Sequence, residues 1–314
     1  MNKRILKIIS YALVIASFIF IIKALVGLDI RRLGIIMTPG RLLLLLVMSS
    51  FYSTNNIFFA IAWKKLLFIF SGQEIPSKKI INLYLKSNIA KYLPGNVFHF
   101  AGRHLLVRDN SVSHAHLMLS NLSEIFLLVF TATLILTAGL VFKLIIIPEK
   151  IISLISLKYI ITALITLIII ASAALIILLI KKQYRRIKAF FRVISRRNLK
   201  EILLTVILYS TMFIITGFIL SIIFYMLKGD NISFYFAYHI IFVFTLSWVL
   251  GYIVPGAPGG VGIREAVIII MLSPISDAQT SALCALILRV VTITGDIISY
   301  IMSKHHYFNY TETE

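Results

Sequence analysis

The sequence predicts an all-α polytopic membrane protein with about six full transmembrane helices and two re-entrant helical hairpins, arranged as an inverted repeat. Three observations carry that expectation. The 314 residues are 60% hydrophobic and only 14% charged, with a mean hydropathy of +0.97, whereas soluble domains carry about a quarter charged residues. Several charge-free runs reach about 18 residues, enough to cross a hydrocarbon core of about 30 Å. Two segments, Ser77–Arg108 and Phe234–Leu272, interrupt this pattern with proline, glycine and charge.

In chain order, Met1–Lys7 is basic and Ile8–Val26 apolar. The apolar stretch is too long for a signal peptide and lacks a small-x-small cleavage site, so Ile5–Val26 reads as an uncleaved first span with Lys23 snorkelling at its end. A polar connection, Gly27–Gly40, leads to span two, Arg41–Trp63, closed by Lys64 and Lys65. Its centre holds Ser53, Thr54, Asn55 and Asn56, which must face protein because unpaired polar atoms are costly in hydrocarbon. Ser77–Tyr92 is helical in character but carries four lysines, and Leu93–Asn96, with Pro94 and Gly95, breaks it before Val97–Val107. Each arm is too short or too polar to face lipid alone. Span three is Leu117–Phe142, with Asn121, Ser123 and Glu124 in its first half, and span four is Tyr159–Ile180. Lys181–Lys200 holds nine Lys/Arg in twenty residues. Span five is Ile202–Leu227 and the last span Ala278–Met302, followed by a polar tail, 305–314.

Orientation follows from lysine and arginine. With the N-terminus inside, 21 of the 31 fall on inside segments, 7 on outside loops and 3 within the membrane, the bias that sets topology. The assignment works only if both interrupted segments return to the side they left. Both termini are then cytoplasmic, in the cell membrane, and residues 41–142 and 201–303 form inverted repeats inside one transmembrane domain, 1–304, with 181–200 as a basic cytoplasmic loop. Transporters built this way hold substrate near the midplane. The net charge of +19 therefore belongs to topology and to anionic lipid surfaces, and nucleic acid is not expected as a partner. The single cysteine, Cys284, excludes an intrachain disulfide or thiolate metal cluster.

The second interruption is the denser. Pro255, Gly256, Pro258, Gly259, Gly260 and Gly262 break a helix twice just before the adjacent pair Arg264–Glu265. Two readings stand. In one, the Gly259–Ile263 amides open the N-terminus of an Ile263–Leu272 helix, where a lipid phosphate would bind; in the other, the segment is a plain turn between spans. It is neither a P-loop nor a dinucleotide fingerprint. In the first interruption His99 and Arg103 share a helix face; the arm either meets phosphate or lies as an amphipathic hairpin on anionic lipid. Glu124, Arg264, Glu265, Arg289 and Asp296 are the charges at membrane depth. Each costs about 2.5–3.5 kcal/mol at a helix centre, so they must pair or line a wet cavity. Arg289 and Asp296 share a face, and Glu124 and Arg289 are the expected partners of the Arg264–Glu265 pair. Asn55 and Asn56 read as interhelical hydrogen-bonding groups. His114 and His116 do not make a metal site, and no metal or cofactor is expected.

The stretches Lys91-Tyr92-Leu93-Pro94-Gly95, Gly102-Arg103, Leu122-Ser123-Glu124, Pro258-Gly259-Gly260-Val261-Gly262-Ile263-Arg264-Glu265 and Leu288-Arg289-Val290 together resemble the transmembrane region of bacterial lysylphosphatidylglycerol synthases, a flippase-like integral membrane family. The resemblance runs from about Ile5 to Lys304, and Pro258–Glu265 is its most specific element. Ile125 stands where the family often has arginine after the span-three glutamate. No soluble aminoacyl-transferase domain follows, so the resemblance implies the lipid-translocating half alone and argues against lipid aminoacylation. It implies a flippase-like translocase for an anionic phospholipid or polyprenyl-linked glycan, compatible with a homo-oligomer. The headgroup would be bound at the hairpin tips by Arg103, Glu124, Gly259, Gly260, Gly262, Arg264, Glu265 and Arg289. The arginines would meet phosphate, and Glu124, Glu265 and Asp296 would hold or release them. Two rivals remain open. A membrane-embedded transferase acting on a lipid-linked sugar or phospholipid would need a carboxylate or histidine cluster, and none is evident among the 12 acidic residues. An accessory subunit of an envelope-polymer system would use the midplane charges only to pack helices.

Overall fold

Thr38 and Pro39 begin the longest described helix, since proline at the first position loses no helical hydrogen bond. This helix, α1 (Pro39–Ser71), ends at Gly72, whose left-handed backbone (φ 68°) lets its N–H bond Phe68 O. Lys64 and Lys65 therefore do not close the helix as the sequence suggested. They are spent sideways: Lys64 Nζ donates to Ser77 Oγ at 2.7 Å, and Lys65 pairs with Glu201 at 2.6 Å. The computed structural model describes residues 34, 38–92, 98–107, 112–148, 198–229, 233–253 and 258–308. The expected spans one and four, nearly all of the basic segment 181–200, the break at Pro94 and Gly95, Pro255 with Gly256, and the tail from 309 lie outside the described residues.

After α1 come α2 (Ser77–Asn88), a 3-10 turn (Ile89–Tyr92), α3 (Phe98–Val107), α4 (His114–Val141), α5 (Leu199–Lys228), α6 (Phe234–Ile253), a second 3-10 turn (Pro258–Gly260), α7 (Ile263–Leu272) and α8 (Ala278–Phe308). Among the described residues there is no strand, and α1, α4, α5, α6 and α8 are long and apolar enough to cross a membrane. The chain is an all-α polytopic membrane protein. Its outward faces are aliphatic and aromatic, with Leu43, Phe51, Phe218, Val290 and Ile301 more than half exposed. Helices approach closely where the chain places glycine. A Cβ on Gly217 would stand 2.7 Å from Ile241 Cα, and one on Gly295 would stand 2.6 Å from Ser49 O, the small-residue packing that membrane helices favour.

Side-chain contacts fix the relative directions of these helices. Asn55 meets Thr216 and Lys65 meets Glu201, so α1 and α5 are antiparallel. Gly295 packs on Ser49 and Tyr52 while Ser299 bonds Ser53 O and Asn56, so α1 and α8 run parallel. One end of the bundle gathers the Lys64–Ser77 and Lys65–Glu201 contacts. The other gathers Lys228 Nζ on Ile275 O at 3.0 Å and Ile146 N–H on His239 Nδ1 at 3.2 Å.

Each end sends one helical hairpin inward. From the first end, α2 folds back along α1, with Ser77 beside Lys64 and Asn88 beside Asn56, and α3 returns with Gly102 against Ser87. Asn56 lies near the middle of α1, so this hairpin reaches about half the depth of the bundle. From the second end, α6 enters and α7 returns: Gly251 lies against Arg264 near the tip, and His239 faces Met271 O at the open end. The ten residues of α7 rise only about 15 Å, half a hydrocarbon core. The two tips touch, since a Cβ on Gly259 would stand 3.3 Å from the Tyr92 ring.

Candidate functional site

Where the tips meet, the structure collects most of the chain's membrane-depth charge into three clusters. The first joins α3 to α4. Arg103 and Glu124, 1% and 2% exposed, form a two-pronged ion pair through Nη1–Oε2 and Nη2–Oε1. Tyr84 OH donates to Glu124 Oε1 at 2.6 Å, and Asn121 Oδ1 accepts from Arg103 Nη1 at 3.3 Å and from Trp63 Nε1 at 2.9 Å. The guanidinium also lies 3.9 Å from the Tyr84 ring centre and 5.1 Å from that of Trp63. A buried charge of this kind is tolerable only when paired and hydrogen-bonded, and here Nη1 and Nη2 are, while Nε is not.

The second cluster centres on Asp296 of α8. Its Oδ1 accepts from Asn56 Nδ2 at 3.0 Å and from Asn88 Nδ2 at 3.4 Å; its Oδ2 accepts from Tyr92 OH at 2.5 Å and from Lys91 Nζ at 2.7 Å. The carboxylate thus ties α1, α2 and the first tip to α8. The Asn56 amide also donates to Ser299 Oγ at 2.9 Å, so the interhelical role expected of the Asn55–Asn56 pair is observed.

The third cluster is the second tip. Gly259, Gly260 and Gly262 take positive φ values of 58°, 73° and 89°, which other residues resist. The turn they form starts α7, and Glu265 reaches back so that Gly262 N–H donates to its Oε2 at 2.6 Å. That amide, expected to be open to an anion, already holds the chain's own carboxylate. Glu265 Oε1 lies 3.7 Å from Arg289 Nε, and Arg289 Nη1 donates to Gly259 O at 3.0 Å. Arg289 thus pairs with Glu265 as anticipated. Glu124, the other anticipated partner, pairs with Arg103 instead. Arg289 and Asp296 each bond a different partner although they share a helix face. Arg264 alone of the four cations makes no ion pair among the described residues; its guanidinium sits 5.8 Å from the Trp248 ring centre, and Trp248 stacks on Tyr252 at 4.8 Å.

Between the clusters lies a cavity of about 90 Å³, lined by Lys91, Arg103, Glu124, Gly259, Arg264 and Arg289 among others. By the yardstick of roughly 10–15 Å³ per water it has room for several. His99 Nδ1, Arg103 Nε, Arg264 Nε and Arg289 Nη2 are buried without a partner, and all four residues line this cavity. Buried polar atoms are nearly always satisfied; these four gather at the cavity, while Asn55 Oδ1, Ser123 Oγ and Tyr209 OH, also without a partner among the described residues, lie away from it. Of the sequence-predicted residues, Arg103, Glu124, Gly259, Arg264 and Arg289 line the cavity; Glu265, Gly260 and Gly262 stand behind it in the second tip, and Pro258 opens the tip's 3-10 turn. Sequence reasoning missed Tyr84, Asn88, Lys91, Tyr92 and Trp248 as members. The signal for Asn88, Lys91 and Tyr92 was their place just before Pro94–Gly95; Tyr84 and Trp248 gave none beyond being aromatic.

A family model described as the lysylphosphatidylglycerol synthase TM region matches residues 7–298. A comparison with curated proteins finds no match.

Proposed function

The chain belongs to the lysylphosphatidylglycerol synthase transmembrane family, and from that premise we propose that it is a lipid translocase of the cytoplasmic membrane, with both termini cytoplasmic. In this reading α2–α3 and α6–α7 are re-entrant hairpins entering from opposite faces. They clasp the anionic headgroup of a phospholipid or polyprenyl-linked glycan at their tips while the acyl or prenyl chains stay in the bilayer.

The observation that carries the reading is the junction itself. Two hairpins from opposite ends of the bundle touch at a cavity lined by four cationic side chains, and three of the guanidinium nitrogens there have no partner. Guanidinium forks suit phosphate. Among the described residues side chains join each tip to α8, Lys91 and Tyr92 through Asp296 and Gly259 O through Arg289, so exchanging internal carboxylates for a headgroup would free one tip from α8. That is the exchange alternating access needs at a site between inverted repeats.

The test is lipid movement in vesicles reconstituted with the full chain. Glu265→Gln, an isostere, and Arg289→Gln, which removes the guanidinium, should each abolish transbilayer movement of the transported lipid while expression and melting temperature stay near wild type. Movement retained by both variants overturns the assignment. Chemical modification of the lipid, rather than a change in its sidedness, would replace translocase by transferase.

A further inference from the structure

His239, near the start of α6, is fully buried and meets a backbone group at each ring nitrogen. Nδ1 lies 3.2 Å from Ile146 N, and Nε2 lies 3.3 Å from Met271 O. An amide only donates and a carbonyl only accepts, so Nδ1 carries the lone pair and Nε2 the proton. The two backbone partners thus fix a neutral ring in one tautomer. Its two bonds respond differently to a second proton. Nε2–H goes on donating to Met271 O, whereas a proton on Nδ1 would stand against the Ile146 N–H and break that bond.

Ile146 belongs to a strap, residues 143–148, that runs from the end of α4 onto the start of α6. The strap leaves α4 under strain. Leu144 N–H bonds Gly139 O at 2.9 Å and Lys143 N–H bonds Leu140 O at 3.2 Å, the paired bonds that usually close a helix on glycine. The residue at the bend is instead Lys143, with φ at 53°, the one non-glycine residue at positive φ among the described residues. Contacts therefore have to hold the strap down. Ile145 and Ile147 pack on the core, Tyr235 OH donates to Ile145 O at 3.4 Å, and His239 supplies the buried acceptor for Ile146. Across the ring, Met271 O lies in the last turn of α7, where carbonyls lack helical partners. One imidazole thus joins the strap to both arms of the second hairpin at its open end.

We propose that His239 is a proton-operated latch. Neutral, it fastens the strap to α6 and α7; protonated, it keeps its hold on α7 and lets the strap go. A proton on Nδ1 and the Ile146 bond exclude one another, so acid draws the strap toward release. The other titratable groups of the packed elements do not bond the ring. Tyr235 and Tyr238 of α6 donate to Ile145 O and Ile135 O, and Lys228 of α5 bonds Ile275 O. Lys143 of the strap is exposed, and Asp277 caps α8. Glu124 of α4 and Arg264 and Glu265 of α7 belong to the clusters at the tips, while His114 and His116 stand in the first turn of α4. The latch needs neither a lipid nor the translocase reading.

The experiment is hydrogen exchange of the purified full chain in detergent, read by mass spectrometry and corrected for the intrinsic rate at each pH. A free histidine titrates at about pH 6.5, so exchange is compared at pH 7.5 and pH 4.5. In wild type, exchange across residues 145–147 should quicken about tenfold at the lower pH, the effect of one buried hydrogen bond lost. Residues 267–272 of α7 should not change. His239→Gln offers an amide oxygen to Ile146 N–H and an amide N–H to Met271 O but does not titrate, so its strap should stay protected at both pH values. His239→Phe fills the space without either bond, and its strap should exchange fast at both. Should His239→Phe fail to fold, wild type and His239→Gln carry the test. Exchange at 145–147 that ignores pH in wild type overturns the latch. Acid release that persists in His239→Gln assigns it to another group and overturns the role of His239. Strap and α7 opening together in acid overturn the claim that the α7 bond survives protonation. A His239→Gln strap as open as that of His239→Phe at pH 7.5 shows that ring shape, not the pair of bonds, holds the strap, and overturns the proposal as well.

Discussion

Glu124→Gln isolates the worth of a buried charge in this bundle. The substitution keeps the shape of the side chain and an oxygen to accept from Tyr84 OH, now 2.6 Å away. It removes only the negative charge facing Arg103, which is 1% exposed and has Asn121 Oδ1, at 3.3 Å, as its one other hydrogen-bond partner. Breaking a buried ion pair from one side costs about 3–5 kcal/mol because the remaining charge is stranded. The adjoining cavity admits water, and three aromatic rings lie over the guanidinium, at 3.9, 5.1 and 5.2 Å from their centres. Both soften the penalty, so the lower end of that range, about 3 kcal/mol, is expected. For a chain of this size each kcal/mol shifts melting by roughly 2–4 °C, giving a fall of about 6–12 °C in detergent. The assay is a double-mutant cycle on melting midpoints with Glu124→Gln, Arg103→Met and Glu124→Gln/Arg103→Met. The double variant, which strands no charge, should melt closer to wild type than Glu124→Gln does. A double variant at least as unstable as Glu124→Gln, or a Glu124→Gln shift under about 2 °C, refutes the stranded-charge reasoning.

Three further outcomes follow from the same geometry. Cysteines placed at Gly229 and Ser276 should react with an impermeant reagent from one face of the membrane and a cysteine at Gln73 from the other, since Lys228 bonds Ile275 O at the end opposite Ser77; native Cys284, fully buried, adds little background. Gly295→Val should destabilise by about 2 kcal/mol or more, read as a melting shift, because its Cβ would press Ser49 O at 2.6 Å and the Tyr52 ring at 2.6 Å, where neither backbone nor ring can yield. At the open end of the first hairpin, partial burial and the facing His114 ring hold the His104 imidazole below the usual histidine range. The unfolded chain then binds more protons near its ordinary value of about 6.5, so stability present above that pH is lost as pH falls. The melting midpoint should drop between pH 7.5 and 5.5, and His104→Gln should shrink that drop.

The membrane class was legible because composition and charge-free run length are direct readouts of a hydrocarbon environment. That Glu124, Glu265, Arg289 and Asp296 would be paired was legible for the same reason: a charge inside an apolar run has to be answered by another. Which charge answers which was not legible. Periodicity fixes a helix face but not the rotation or offset of the neighbouring helix, so Glu124 looked equally able to meet Arg264 and met Arg103. At the N-terminus of α7 one expected open amide is occupied for a local reason. Glycine at the cap followed three residues later by glutamate is half of a capping box, and the glutamate occupies the amide that the glycines expose. One amide of the helix end that reads as an anion site is thus taken by the helix's own side chain.

The ion pairs around the cavity differ in how easily they yield, and that difference says which contacts are hinges. Arg103–Glu124 is sealed at 1% and 2% exposure and stacked among aromatics. Lys91, by contrast, is 21% exposed, and Arg289 is 16% exposed with 3.7 Å between it and Glu265. A pair whose cation reaches solvent contributes less than one sealed on both sides. Removing Lys91 is milder for a second reason: Asp296 would keep three neutral donors, Asn56, Asn88 and Tyr92. Lys91→Met should therefore lower the melting midpoint by no more than a few degrees, well short of Glu124→Gln. It should also loosen the first tip, seen as faster hydrogen exchange at residues 89–92 with α4 unchanged. Slower or unchanged exchange there would place the hinge elsewhere. Of the two ion pairs of the first hairpin, Arg103–Glu124 is thus the sealed one and Lys91–Asp296 the one open to solvent.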